Sequence, residues 1–229
     1  MNNKYICIKK FETMNSREFK DAMYGDISRV TKAISNTHRL EIIDFISNGK
    51  KCVEDIAKQA NLTIANASQH LQSLKKERLV KSEKDGNFVF YSLYSNEVYE
   101  VWKSLRDLTF SISPWARETI ARREASPDYN KPLTFEQLSK TSEIILLDVR
   151  PEDEYCNDHI PHSISIPIAQ LCDRLDELPR NKTIVAYCRG VFCSFADEAV
   201  NLLVSNGYMA EKLEDSVLDY KIKLKKNAC

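Results

Sequence analysis

The sequence predicts two domains in succession: a mostly α-helical one finished by a β-hairpin, then an α/β one built on a parallel sheet flanked by helices. Three observations carry this. Helical apolar patterns separated by short turns fill residues 26–78, and two strand-like runs joined at Asp85-Gly86 follow directly. Farther on, Ile144-Ile-Leu-Leu-Asp148 and Ile184-Val-Ala186 are unbroken apolar runs of the kind buried on both faces of a parallel sheet. Between the halves, Ser126-Pro-Asp-Tyr-Asn-Lys-Pro132 is rich in turn formers. The 229 residues suffice for two domains of about 100 residues each, which we place at 1–125 and 132–229 with a linker at 126–131.

A composition of 43% hydrophobic and 29% charged residues is that of an ordinary globular chain, and its net charge of zero hides an asymmetry. Residues 1–125 carry 21 Lys and Arg against 16 Asp and Glu, whereas residues 126–229 carry 12 against 17. A basic half joined to an acidic half suits different partners. No apolar run approaches the roughly 18 residues of a membrane span, and Met-Asn-Asn-Lys-Tyr-Ile-Cys-Ile-Lys-Lys at the amino terminus has no signal-peptide core. The expectation is a cytoplasmic protein with no membrane partner. Seven cysteines (Cys7, Cys52, Cys156, Cys172, Cys188, Cys193, Cys229) stand at irregular spacing without a metal-type Cys-x2-Cys, so they read as free thiols with at most one functional pair. No metal or cofactor is expected.

Taking the elements in order, Ile27, Val30 and Ile34 mark one helix and Leu40, Ile42, Ile43, Phe45 and Ile46 a second, with Asn36-Thr37 as its cap and Gly49 as its end. A third helix over Val53–Gln59 and a fourth over 64–78, across the tight turn at residues 60–62, form a helix-turn-helix. In the fourth helix Ile64, Ala67, Leu71 and Leu74 make a core stripe. The opposite side carries Ala65, Asn66, Gln69 and Ser73, with Ser68 and His70 on the flanks and Thr63 at the start. That outward face is polar but nearly uncharged, and its amides suit base edges, where Asn and Gln can bond adenine bidentately. Strand-like residues 79–84 and 87–93, joined at Asp85-Gly86, complete a winged helix.

Residues 29–93, notably Ala33-Ile-Ser-Asn-Thr-His-Arg-Leu-Glu-Ile42 and Asn66-Ala-Ser-Gln-His-Leu-Gln-Ser-Leu-Lys75, resemble the ArsR family of dimeric bacterial regulators. The resemblance implies that double-stranded operator DNA is the partner: the fourth helix enters the major groove, while Lys84 and Asn87 of the wing approach phosphate or the minor groove. Members of that family often sense metals, but the motif usually reading Cys-Val-Cys is Cys52-Val53-Glu54 here, and residues 97–123 hold no histidine. This argues against thiophilic metal sensing and leaves Cys52 structural. From Glu97 onward, Val98, Val101, Trp102, Leu105, Leu108 and Ile112 recur at helical spacing, a stripe that fits either a core helix or, as the resemblance implies, the interface of a homodimer, to which residues 14–24 could add.

In the second half a small helix over residues 134–138 precedes the strand ending at Asp148. Arg150, two residues on, can pair with Glu154, and Asp148 can cap backbone near the loop described next. His159 reads as a turn-packing residue. Residues 183–187 form a strand, Cys188-Arg-Gly-Val-Phe-Cys193 a loop, and a helix follows from Ser194 with Ala196, Ala199, Val200 and Leu203 on one face. A cysteine is thereby set at the carboxyl edge of a sheet, before a helix amino terminus, where the thiolate of Cys188 should be favoured. A phosphatase of the Cys-x5-Arg type would need arginine where Ser194 stands, which argues against phosphate chemistry.

This loop, with Leu147-Asp-Val-Arg150, Glu154-Tyr155, His159-Ile-Pro161 and Ile166-Pro167, resembles a single-domain rhodanese, a sulfurtransferase whose cysteine carries a persulfide; the likeness covers residues 132–220. It departs from that pattern at Asp158, His162 and Asp215-Ser216, where the family has glycine. The resemblance implies Cys188 as the sulfur carrier in a cradle of Gly190, Val191, Phe192 and Ser194, with a small sulfur donor and an acceptor thiol as partners. Arg189 could orient an anionic donor, and Cys193 could accept the sulfur, form a protective disulfide, or merely fill the loop. Two functions fit: a DNA-binding regulator whose second domain transfers or senses sulfane sulfur, or one whose rhodanese-like domain is inactive and acts as a redox- or ligand-sensing module.

Overall fold

The computed structural model describes residues 14–138 and 143–227; Cys7 and Cys229 lie outside the described residues. Helix α1 (Ser16–Ile34) starts on a capping box, Asn15 Oδ1 accepting from the amides of Arg17 and Glu18 while Glu18 accepts from Asn15 N. Only its last turn is buried: Phe19, Met23, Tyr24 and Ile27 face outward. Asn36 caps α2 (Thr37–Ile46), β1 (Lys51–Cys52) follows, and α3 (Val53–Gln59) and α4 (Ile64–Lys76) form the helix-turn-helix, with Asn61 at φ +51° in the turn.

Ala67, Leu71 and Leu74 of α4 are fully buried against Ile42, Ile43, Ile56, Val80 and Trp102. Ile64, expected in that stripe, is 53% exposed, because the first turn projects beyond the helices that cover the rest. The wing is β2 (Val80–Asp85) and β3 (Phe88–Leu93), with β1 on the other side of β3. Asp85 pairs with Phe88, so the turn residues are Gly86-Asn87, one place later than expected. Gly86 at φ +59° takes the first turn position, the arrangement that suits strand twist. Helix α5 (Asn96–Ile112) ends where Pro114 opens α6 (Pro114–Glu124), with Ser113 capping it.

The second domain carries a five-stranded parallel sheet in the order β4 (Pro132–Leu133), β8 (Ala210–Leu213), β7 (Thr183–Tyr187), β5 (Ile144–Asp148), β6 (Ile164–Ser165). Helices α7 (Phe135–Leu138), α8 (Glu152–Asn157), α9 (Ile168–Leu171), α10 (Phe195–Ser205) and α11 (Val217–Asn227) surround it, with a 3₁₀ turn over Cys172–Glu177. Along β7, Ile184 and Ala186 face a core with Ala199 and Leu203 of α10, whereas Val185 and Tyr187 face Leu138, Leu213 and Val217. Burial on both faces is the reason the strand has no polar alternation.

The domains are packed together. Leu218 and Ile222 of α11 join the winged-helix core. Tyr99 of α5 donates to Asp219 at 3.0 Å, and the buried Lys51 of β1 donates to Glu154 of α8 at 2.8 Å. Gly49, at φ +126°, lets α8 come close: a Cβ there would lie 2.3 Å from Asn157 Nδ2. Arg123, at the end of α6, donates to the carbonyls of Val191 and Cys193 and to Asp197.

Candidate active loop and nucleic-acid interface

Strand β7 delivers Cys188 at its carboxyl end, and α10 begins just beyond Ser194, so the six residues between Tyr187 and Ser194 must turn sharply. Gly190 absorbs that turn at φ +105°. Cys188 is only 2% exposed and donates its S–H to the carbonyl of Cys193 at 3.8 Å. Cys193 is half-buried. The two thiols are shifted in opposite directions. Hydrogen bonding to Cys193 and then burial push the Cys188 thiol well up, against the pull of the Ala196 and Gly190 amides. The Cys193 thiol is lowered, first by the hydrogen bond from Cys188, then by the amides of Phe195 and Arg189 and the Arg189 guanidinium. Against the expectation of an acidified Cys188, the deeper Cys188 thiol is pushed up and the more exposed Cys193 thiol is the one drawn down.

Arg189 does not reach out for an anion. Its guanidinium donates to Glu154 at 2.5 and 3.0 Å and lies over the rings of Phe45 and Phe195. Glu154, itself buried, also receives Lys51, with Arg150 Nη1 3.9 Å away. Arg150 makes its main bonds to Asp148, at 2.7 and 2.9 Å, and to the carbonyl of Asp158, so these two residues brace the β5–α8 turn. Asp148 caps backbone by accepting from the amide of Arg150. His159 stacks on Tyr155 with ring centroids 4.0 Å apart, a packing role. Of the remaining loop residues, Val191 offers its carbonyl to Arg123, Ser194 donates to Glu198, and Phe192 sets its ring edge-on to Trp102 and Phe110 of α5 at 6.2 and 6.1 Å.

Sequence reasoning did not foresee that the loop faces the winged helix. Lys51 and Glu154 are separated by 103 positions, and no local pattern announces their pairing. A lysine opening a two-residue strand was the one available signal.

On the opposite side of the first domain, Thr63, Asn66, Gln69 and Ser73 of α4 are exposed, while Ser68 and His70 are half-buried, His70 lying 5.5 Å from the His38 ring. Thr63 caps the helix through Asn66 N, and Ser73 bonds back to the Gln69 carbonyl. The Asn66 and Gln69 amide groups make no side-chain hydrogen bond among the described residues and are free for an incoming partner. Lys84 and Asn87 are exposed at the wing tip, and Lys75 ties α4 to the wing through Ser82 at 2.6 Å. Cys52, buried at the start of α3, donates to Asp55 at 3.0 Å, and burial raises its thiol to about 11, in keeping with a structural role. Among the described residues no three His, Cys, Asp or Glu side chains gather as metal ligands, and no helix is long and apolar enough to cross a membrane.

Residues 36–82 match the bacterial regulatory protein, arsR family, and residues 131–221 match the rhodanese-like domain family. The chain is 33% identical over 206 residues to the HTH-type transcriptional regulator Rv0324 of Mycobacterium tuberculosis, spanning 89% of this chain and 90% of that protein. It is 29% identical over 73 residues to a sulfurtransferase of Allochromatium vinosum, covering 32% of this chain and 66% of that one. Among solved structures, the homodimeric winged helix-turn-helix DNA-binding domain from Mycobacterium bovis is similar at 28% identity and a TM-score of 0.41, covering 44% of this chain and 91% of that one. With a transcriptional regulator matched along nearly the whole of both chains, and the arsR and rhodanese-like family models matching successive parts of this chain, the protein belongs to the ArsR family of DNA-binding regulators and carries a carboxyl-terminal rhodanese-like domain.

Proposed function

We propose that this regulator acts in the cytoplasm as a homodimer on operator DNA, and that the Cys188–Cys193 pair takes up sulfane sulfur and reports it to the DNA-binding domain. The observation that carries the reading is a buried thiol beside a second, more exposed cysteine at the carboxyl end of β7, close to amides of the loop and of the first turn of α10, in a loop that leans on α5. Once the proton passes from Cys188 to Cys193, the Cys188 thiolate attacks the outer sulfur of thiosulfate; the donor's S–S bond breaks, sulfite leaves with the electron pair, and Cys188 holds a persulfide. An external acceptor thiol can then take the sulfur. Alternatively the Cys193 thiolate attacks the Cys188 sulfur, expelling hydrosulfide and closing a disulfide. The outward apolar residues of α1 and α5, among them Tyr24, Ile27, Leu108 and Ile112, support the dimer. Asn66 and Gln69 are the residues placed to read bases.

A second reading, sensing without turnover, is favoured by the 2% exposure of Cys188 and by the engagement of Arg189 with Glu154, which leaves no free cation in the loop for a donor anion. Thiocyanate formation from thiosulfate and cyanide, wild type against Cys188→Ser, separates the two. A Cys188-dependent rate supports transfer. Without one, mass spectrometry after exposure to a sulfane donor should still find one added sulfur on the peptide holding both cysteines; an unmodified peptide would remove both readings.

A further inference from the structure

Between the two domains lies a cavity of about 730 Å³, walled by α2, α5 and the active loop, within the roughly 300–1,000 Å³ of small-molecule sites. One wall is aromatic: Trp102 and Phe110 with the Phe192 ring edge-on to both. The other carries two acceptors four residues apart, Asp44 in the last turn of α2 and Asn48 just past its end. Asp44 has a carboxylate that makes no hydrogen bond or ion pair with any described residue. Asn48 is 4% exposed and donates its amide N–H to the Asp44 carbonyl and the Ser47 hydroxyl, which leaves its Oδ1 buried without a partner. An unpaired buried acceptor such as Asn48 Oδ1 costs about 1–3 kcal/mol, so together with the half-buried, unpaired Asp44 carboxylate beside it the site is built for a donor that arrives from outside.

The cations nearby are already committed. Arg189 is bound to Glu154, and Arg106 pairs with Asp107 while stacking on Trp102 at 5.3 Å and Phe110 at 6.0 Å. Glu41, also on the wall, adds further negative charge. We propose that this cavity binds a small organic ammonium compound, its N–H donors on Asp44 and Asn48 Oδ1 and its apolar body against the aromatic rings, and that the occupant covers Cys193. Burial raises Asp44 to about 7, with Arg106 opposing and Cys193 and Glu41 adding to the rise, so an ammonium head would restore the carboxylate that burial disfavours. Rings flanking the site add cation–π attraction. The inference stands on the cavity wall and does not depend on sulfur chemistry at Cys188.

The test uses the full chain and 2-phenylethylamine as probe, with 2-phenylethanol and 3-phenylpropionate as neutral and anionic counterparts, read by calorimetry and by the rate of Cys193 alkylation. Saturable binding of the amine is expected, at least tenfold tighter than either counterpart, with slower alkylation of Cys193 in the occupied protein. Asp44→Asn, which keeps the volume, should erase the preference, and Asn48→Asp should strengthen it. Absence of saturable amine binding at millimolar concentration, equal or tighter binding of the propionate, or an amine affinity unchanged in a folded Asp44→Asn protein would each overturn the proposal.

Discussion

Replacing Glu154 by glutamine tests whether the two domains share one electrostatic joint. The carboxylate is buried and accepts from Arg189 of the active loop at 2.5 Å and from Lys51 of β1 at 2.8 Å, with side-chain exposures of 18% and 5% for these cations. Glutamine keeps the shape but leaves Arg189 without a counter-charge and Lys51 with only the more distant, exposed Asp153 at 3.3 Å. Breaking a buried pair in this way costs about 3–5 kcal/mol, a large share of the 5–15 kcal/mol that holds a typical folded protein. The retained amide oxygen and the partial exposure of Arg189 place the expected loss toward the lower end. Unfolding in urea gives that loss. A double-mutant cycle with Lys51→Met isolates the joint: the two substitutions should couple by more than about 1 kcal/mol across the domain boundary. Alkylation of Cys193 should accelerate as well, because Arg189 is one of the side chains, with Arg123, that tie the loop down. A Glu154→Gln protein as stable as wild type, or two additive substitutions, would refute the reasoning.

Three further outcomes are expected. Asp44 is raised from 3.8 to about 7 in the folded chain, so the folded state binds its proton more tightly than the unfolded state; its contribution to stability is present below pH 4 and lost as pH climbs to about 7. Asp44→Asn should therefore gain on wild type as urea unfolding is moved from pH 5 to pH 8, and parallel pH profiles would exclude the shift. Gly49→Ala must place its Cβ 2.3 Å from Asn157 Nδ2 at φ +126°, and a loss of about 1–3 kcal/mol by thermal or urea unfolding is expected; Asn157→Ala should recover the clash but not the backbone strain. Asn66→Ala with Gln69→Ala should weaken binding to the cognate operator by about 1–3 kcal/mol for each bidentate pairing with a base that is removed, while barely changing binding to random DNA. Titration at fixed salt measures both, and equal weakening on the two DNAs would mean that α4 does not read bases.

Periodicity and turn chemistry are local properties, and they determined most of the fold. Ala67, Leu71 and Leu74 recur at the helical period, Ile184 to Ala186 lack alternation, and Asn36, Gly49 and Gly86 mark caps and turns, so the helix-turn-helix, the wing and the parallel sheet are legible in the sequence itself. The errors were local too. Ile64 follows the core stripe by spacing yet lies on the first, uncovered turn, and the hairpin turn moved one residue because strand register, set by cross-strand pairing, outweighs the dipeptide signal. The motif Cys188-Arg-Gly-Val-Phe-Cys193 located the candidate loop, but not which of its thiols is pushed up and which is drawn down. That depends on depth and on which amides point where, and only tertiary structure gives Cys193 the more exposed position beside Arg189. Likewise the sequence named Arg189 as the loop's strong charge, while the fold decided that it pairs with Glu154, a carboxylate it shares with Lys51. The cavity over Asp44 and Asn48 exists because α2, α5 and the loop meet from positions far apart in the chain, and no periodicity records a meeting of that kind.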